Sequence, residues 1–169
     1  MKTLLFRSIF NGPATAEAPA PSVDALKELG TKVDRKARAL LGRSLAIRAV
    51  DAGSCNGCEM ELHALGNAVY DISRFGIRFV PSPRHADVLL VTGPVTLNMQ
   101  VALERTYAAT PAPKWVVSVG DCACNGCVFG SSYACVGNVD SVLDVDLHIP
   151  GCPPTPEDIL KGFLALMTA

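Results

Sequence analysis

Residues 44–58 read SLAIRAVDAGSCNGC: a short apolar run, a turn containing glycine, and two cysteines separated by two residues. The run predicts a strand over Leu45–Val50, and CNGC at its carboxyl end opens a helix predicted over Cys58–Val69. The same alternation repeats down the chain. Ile77–Pro81, Asp87–Thr92, Trp115–Val119 and Val145–Ile149 read as further strands, with helices over Thr96–Ala109 and Thr155–Met167. Strands alternating with helical stretches argue for βαβ units and a parallel sheet covered on both faces. The expected fold class is α/β, a doubly wound parallel sheet, and 169 residues are enough for one such domain.

Towards the N-terminus the pattern changes. Residues 11–22, NGPATAEAPAPS, carry Pro13, Pro19 and Pro21 among alanines and a single charge. That composition favours an extended tether. Val23–Arg43 then has Leu26, Leu29, Val33, Ala37, Leu40 and Leu41 at helical spacing, with Ser22 as a plausible N-cap. Its other face is basic: Lys27, Lys32, Arg35, Lys36, Arg38 and Arg43 outnumber Glu28 and Asp34. Such a helix suits an anionic membrane surface or an acidic partner, and equally suits simple solvation. The expected organisation is an N-terminal arm and amphipathic docking helix over 1–43, followed by an α/β domain over 44–169.

Composition narrows the function. Fifteen basic against sixteen acidic residues give a net charge of −1, so no basic excess is available to hold a phosphate backbone, and a nucleic-acid partner is not expected. No run approaches the ~20 apolar residues of a membrane span, and Met1–Phe10 lacks the apolar core of a secretory signal. Charged residues make up 18% of the chain and mean hydropathy is +0.29, which points to surface covered by a partner. Seven cysteines without an export signal point to metal or redox chemistry before disulfides.

In an open α/β sheet, ligands collect where strands end and loops lead into helices. Cys55 and Cys58 follow the first predicted strand, Cys122 follows Trp115–Val119 in Gly120-Asp121-Cys122, and Cys152 follows the last strand in Gly151-Cys152-Pro153. Four thiolates converging from three such loops suit a 4Fe-4S cluster. Gly53, Gly57, Gly120 and Gly151 allow tight loops around it. Zinc is a rival, because Cys55/Cys58 and Cys124/Cys127 are two CxxC pairs, but they lie much further apart than the ~15–20 residues of a zinc ribbon. A thiol-disulfide oxidoreductase is another, since a CxxC at a helix N-terminus gains a lowered thiol pKa. It leaves Cys122 and Cys152 unexplained. Cys135 fits a small buried hydrophobe best. No GxxxxGK[ST] or GxGxxG motif supports nucleotide binding.

CNGCE after a strand, SPRHADVLLVTGPVT, GDC and IPGCPPTPEDIL occur in this order. Together they resemble the small iron-sulfur subunit of membrane-bound, energy-converting nickel-iron hydrogenases of the formate hydrogenlyase type. That family is also similar to the complex I 20 kDa subunit, which holds the terminal cluster of that complex. The likeness covers about Leu45 to Leu166. It implies a flavodoxin-like fold, one 4Fe-4S cluster, and Cys55, Cys58, Cys122 and Cys152 as its ligands. The spacing of Cys55 and Cys58 resembles the hydrogenase branch, whereas the complex I pattern has two adjacent cysteines. This chain departs from the family in reading Cys122-Ala-Cys124-Asn-Gly-Cys127. Cys122, directly after Gly120-Asp121, is preferred as third ligand over Cys124.

The resemblance implies a relay of single electrons, without catalysis by this chain alone, to or from the nickel-iron site of a large subunit. A ferredoxin-like iron-sulfur subunit and, indirectly, membrane subunits would be further partners, with the complex peripheral on the cytoplasmic face of the cell membrane. The alternative is the 20 kDa subunit of a complex I-like NADH-quinone oxidoreductase, passing electrons to quinone. Glu59 and Glu61 follow the CxxC pair; a proton role is weighed there against simple helix-dipole preference. Arg84 and His85 offer a cation near the cluster or a structural ion pair, and His63 and His148 show no metal-ligand spacing.

Overall fold

A computed structural model describes residues 23–168. The proline-rich stretch 11–22 and the Ser22 cap lie outside the described residues. Five parallel strands, β1 (Leu45–Asp51), β2 (Ile77–Phe79), β3 (Val88–Thr92), β5 (Trp115–Val119) and β7 (Leu147–Ile149), form one sheet in the order β2-β1-β3-β5-β7. This is the flavodoxin-like doubly wound order, with its topological switch point between β1 and β3. A second, antiparallel pair joins β4 (Val95–Thr96) to β6 (Cys135–Gly137). No strand is expected from the sequence at either position.

Every residue of β3 is buried, which a strand achieves only when helices cover both faces of the sheet. Its side chains alternate accordingly. Val88 and Leu90 join a core with Ile47, Leu62, Val117, Ile159 and Phe163, while Leu89 and Val91 join another with Val50, Leu103, Val116 and Ala123. The first core is roofed by α1 (Val23–Leu41), α2 (Gly57–Ala64) and α5 (Pro156–Leu166), the second by α3 (Leu97–Ala109) and the short α4 (Asp121–Asn125).

Helix α1 is more than an appendage: Leu26, Val33 and Ala37 are buried in the same core as the sheet and α5. Its outer face keeps Lys27, Lys32, Arg35, Lys36 and Arg38 exposed, with Lys32 paired to Glu28 at 2.7 Å and Arg38 to Asp34 at 2.8 Å. Helix α2 stops at Ala64, five residues short of the sequence expectation. Asn67 Oδ1 accepts the N–H groups of Val69 and Tyr70 at 2.8 and 3.0 Å, and these bonds draw the backbone away from helical partners. At the other end of the chain Thr155 caps α5, its Oγ1 accepting the Asp158 N–H at 3.2 Å.

Candidate metal centre

Because the five strands are parallel, the carboxyl ends of β1, β3, β5 and β7 share one edge of the sheet. The loops leaving them bound a predominantly apolar cavity of about 140 Å³ whose walls include Cys55, Cys58, Cys122 and Cys152. All four cysteines expected to act together are thus brought together, across the switch point where such folds bind ligands.

Each loop is fixed by its own chemistry. Asp51 at the end of β1 accepts the N–H groups of Gly53 and Ser54 at 2.8 and 2.7 Å, folding the chain back before Cys55. Ser54 donates to Glu59 Oε2 at 2.6 Å and accepts the Asn56 N–H at 3.0 Å, tying the loop to the first turn of α2. The loops after β5 and β7 are bonded to each other. Gly120 N–H donates to Ile149 O at 2.8 Å and Asp121 N–H to Gly151 O at 2.9 Å, while Asp121 Oδ1 accepts the Gly151 N–H at 2.8 Å. Asp121, which sequence reasoning passed over, therefore sets the spacing between Cys122 and Cys152.

The thiols are electrostatically coupled. Burial pushes Cys58 up to about 12, and Glu59, Cys55, Cys122 and Cys152 push it the same way. Burial likewise raises Cys122 to about 11, and the charge of the nearby Cys127 thiol pushes it the same way. The rise at Cys58 opposes the thiol-disulfide reading, which rests on a helix N-terminus lowering that pKa. Desolvation outweighs the dipole here. Four thiolates crowded into an apolar cavity repel one another, and a positively charged metal core offsets that repulsion. Among the described residues no three His, Cys, Asp or Glu side chains converge to hold a single metal ion. The donor set and the enclosed space fit a four-iron cluster, which is larger than one ion and takes four cysteines.

Cys124 points elsewhere. Its Sγ lies 3.4 Å from Ser118 Oγ and donates to Ser118 O at 3.8 Å, which removes it from the cavity and takes away the second CxxC pair of the zinc reading. Cys127 is exposed, and Cys135 is half-buried on β6. Arg84 and His85 lie in a turn at the amino end of β3, the opposite edge of the sheet, so the expectation of a cation beside the thiols is corrected. His63 lines a separate cavity of about 330 Å³ with Arg48, Glu59 and Phe79. His148 Nδ1 lies 2.7 Å from Ser118 Oγ.

Residues 55–166 match the family described as the NADH ubiquinone oxidoreductase 20 Kd subunit. Formate hydrogenlyase subunit 7 of Escherichia coli is 47% identical over 121 residues, which are 72% of this chain and 48% of that protein. A probable membrane-bound hydrogenase subunit of Pyrococcus furiosus is 47% identical over 72% of this chain and 73% of its own length. The NADH-quinone oxidoreductase B subunit of Heliobacterium modesticaldum is 47% identical over 64% of this chain and 63% of its own. The chain thus spans about half the length of the Escherichia coli relative and just under two-thirds of the Heliobacterium one. Among solved structures, a chain of the membrane-bound sulfane sulfur reductase, an archaeal respiratory membrane complex, superposes with a TM-score of 0.66 at 34% identity, over 82% of this chain and 74% of that one.

Proposed function

The chain belongs to the NADH ubiquinone oxidoreductase 20 Kd subunit family, and on that premise we propose that it is an electron-transfer subunit of a membrane-associated oxidoreductase complex. In this reading Cys55, Cys58, Cys122 and Cys152 hold one 4Fe-4S cluster. The observation that carries it is the single cavity walled by those four thiols from three strand-end loops. A bound cluster supplies reversible storage of one electron. The chain does the rest. The four cysteines give up their protons on loading, and the hydrogen-bonded loops after β5 and β7 keep their sulfurs in place in both redox states. This chain makes and breaks no substrate bond alone.

The partner we assign is a large subunit with a nickel-iron site, with a ferredoxin-like iron-sulfur subunit and membrane subunits beyond it. Support comes from the CxxC spacing of Cys55 and Cys58 and from apolar side chains beside the site. Val128, Phe129 and Tyr133 are exposed in the segment between α4 and β6, and Leu97, whose N–H donates to Ala134 O at 2.9 Å, is exposed next to it. A large subunit docked there would cover the cavity and the apolar surface together. Among the described residues no helix is long and apolar enough to cross a membrane, in keeping with a peripheral position, which we assign to the cytoplasmic face. The second reading, transfer to quinone in a complex I-like module, is favoured by the equal identity to the NADH-quinone oxidoreductase B subunit.

The test is anaerobic purification of the native complex, with iron, sulfide and nickel counted per copy and an EPR spectrum of the reduced state. About four irons on this chain with nickel in the partner support the hydrogenase relay. The same iron without nickel moves the assignment to the quinone-linked reading, and absence of iron overturns both.

A further inference from the structure

Ser118, Cys124, Asn138, Asp140 and His148 close a ring of polar contacts on the α4 side of the sheet. Ser118 on β5 and His148 on β7 are paired across the two strands, and His148 Nδ1 lies 2.7 Å from Ser118 Oγ. Ser118 Oγ in turn lies 3.4 Å from Cys124 Sγ on α4. On the other side of the imidazole, Nε2 stands 3.6 Å from Asp140 Oδ1 in the single turn of 3-10 helix Val139–Ser141. Asn138 completes the ring: its Nδ2 donates to Asp140 Oδ2 at 3.3 Å and to Cys124 O at 3.2 Å.

The bond from Asn138 to Cys124 joins positions 14 residues apart and so closes the base of the segment between α4 and β6, where Val128, Phe129 and Tyr133 are exposed. The far end of that segment is held separately, by the pairing of β6 to β4 and by the Leu97 N–H on Ala134 O. Asn138 is itself fixed by Ser141 Oγ, which donates to its Oδ1 at 2.6 Å. Water reaches the ring at His148 and Asp140, whose side chains are 44% and 42% exposed, while Ser118 is fully buried. Histidine is the side chain whose charge ordinarily changes between about pH 5 and 8.

We propose that His148 is a pH-sensitive latch on this loop. Asp140 Oδ1 only accepts, so the neutral imidazole turns its Nε2 proton towards it and takes the Ser118 hydroxyl proton on Nδ1. At 3.6 Å the contact with Asp140 is too long for a hydrogen bond. A second proton makes His148 a cation that draws the Asp140 carboxylate in; Nδ1 then donates to Ser118 Oγ and frees the Ser118 hydroxyl for Cys124 Sγ. Asp140 takes Asn138 on its other oxygen, so the ion pair tightens the hold of Asn138 on α4 without competing for it. The neighbouring carboxylates are already engaged. Asp146, two residues earlier on the same side of the strand, accepts the Val116 N–H at 2.7 Å, and Asp121 on α4 accepts the Gly151 N–H. Helix α5 packs on the opposite face, with Gly162 against Leu147 and Ile149, and its Lys161 pairs with Asp158. Acid therefore closes the latch and fixes the apolar residues of the loop; the consequence for docking rests on the partner surface proposed above, whereas the latch does not.

The test is hydrogen–deuterium exchange of the full chain, read as protection of the amides of residues 126–134 relative to the unstructured rate at each pH, with the β3 amides as the reference for global opening. From about pH 8 to about pH 5.5 the wild-type loop should gain up to about fivefold in protection, the range of an exposed ion pair. His148→Asn keeps a polar side chain for Ser118 without a titrating ring, and Asp140→Asn keeps an acceptor for Asn138 without the charge. Both should remove the gain while β3 protection stays at its wild-type level. Equal wild-type protection at the two pH values overturns the latch, as does a gain that survives in either variant. The exchange reads the loop whether or not a partner docks on it, so failure of the partner reading shows in the nickel count of the purified complex and not here.

Discussion

Gly120 leaves the space that the Cys58 sulfur fills: a Cβ built on Gly120 would stand 2.5 Å from Cys58 Sγ. The two residues belong to different loops, after β5 and after β1, and their approach closes the cavity across the switch point. With φ +90 and ψ 153, Gly120 also occupies a backbone region essentially confined to glycine. Gly120→Ala should therefore cost about 1–3 kcal/mol in backbone strain alone and displace Cys58. Iron bound by the purified variant is the measurement, and wild-type iron content would show that the sulfur does not depend on this gap.

The four-cysteine assignment separates the thiols into two groups. Cys58→Ala and Cys152→Ala should lose the cluster and, in the assembled complex, electron transfer with it. Cys124→Ala and Cys135→Ala should keep both, because Cys124 faces Ser118 and Cys135 lies on β6. Iron and sulfide analysis of the four variants decides between this set and one that includes Cys124.

The raised thiol at Cys58 gives the metal-free chain a defined pH response. Between the ordinary value of 9.0 and about 12, the folded chain keeps a proton that the unfolded chain releases. The folded state then binds more protons, so the Cys58 contribution to stability is constant below about pH 9 and falls as pH rises towards 12. Denaturant midpoints across that window should show the fall, and Cys58→Ser should make it shallower, with the raised Cys122 thiol supplying part of the remainder. Alkylation at neutral pH should be slow at Cys58, since only the thiolate reacts.

At the other edge of the sheet Asp87 is almost wholly buried and serves two partners. Its Oδ1 takes Arg43 Nη2 at 2.5 Å, and its Oδ2 accepts the N–H of Ala46, which is fully buried, at 3.0 Å. Asp87→Ala leaves that N–H without its acceptor, and such a group costs about 1–3 kcal/mol. Thermal unfolding of the metal-free chain measures it. Iron binding should survive, because Asp87 precedes β3 and the thiols follow it.

The basic face of α1 is tested by charge reversal and not by deletion, since Val33 and Ala37 are fully buried in the core. Lys27→Glu, Arg35→Glu and Lys36→Glu together leave those contacts intact. Weaker flotation of the complex with anionic phospholipid vesicles is the expected outcome, and unchanged flotation would remove the docking role.

The sequence by itself carried the class of fold and the grouping of the ligands. Buried parallel strands read as continuous apolar runs such as Val88–Val91, and in a parallel sheet every strand end must fall on one edge, so cysteines after β1, β5 and β7 were bound to meet. The termination of α2 was less legible, because it depends on Asn67 capturing two N–H groups instead of on apolar spacing. Only the tertiary structure decided which thiols face the cavity. Cys122, Cys124 and Cys127 are near neighbours in the chain, yet one walls the cavity, one turns to Ser118 and one is exposed on a left-handed turn. Those directions follow from a five-residue helix, two left-handed residues and a hydrogen bond from a neighbouring strand, none of which leaves a periodic trace in sequence.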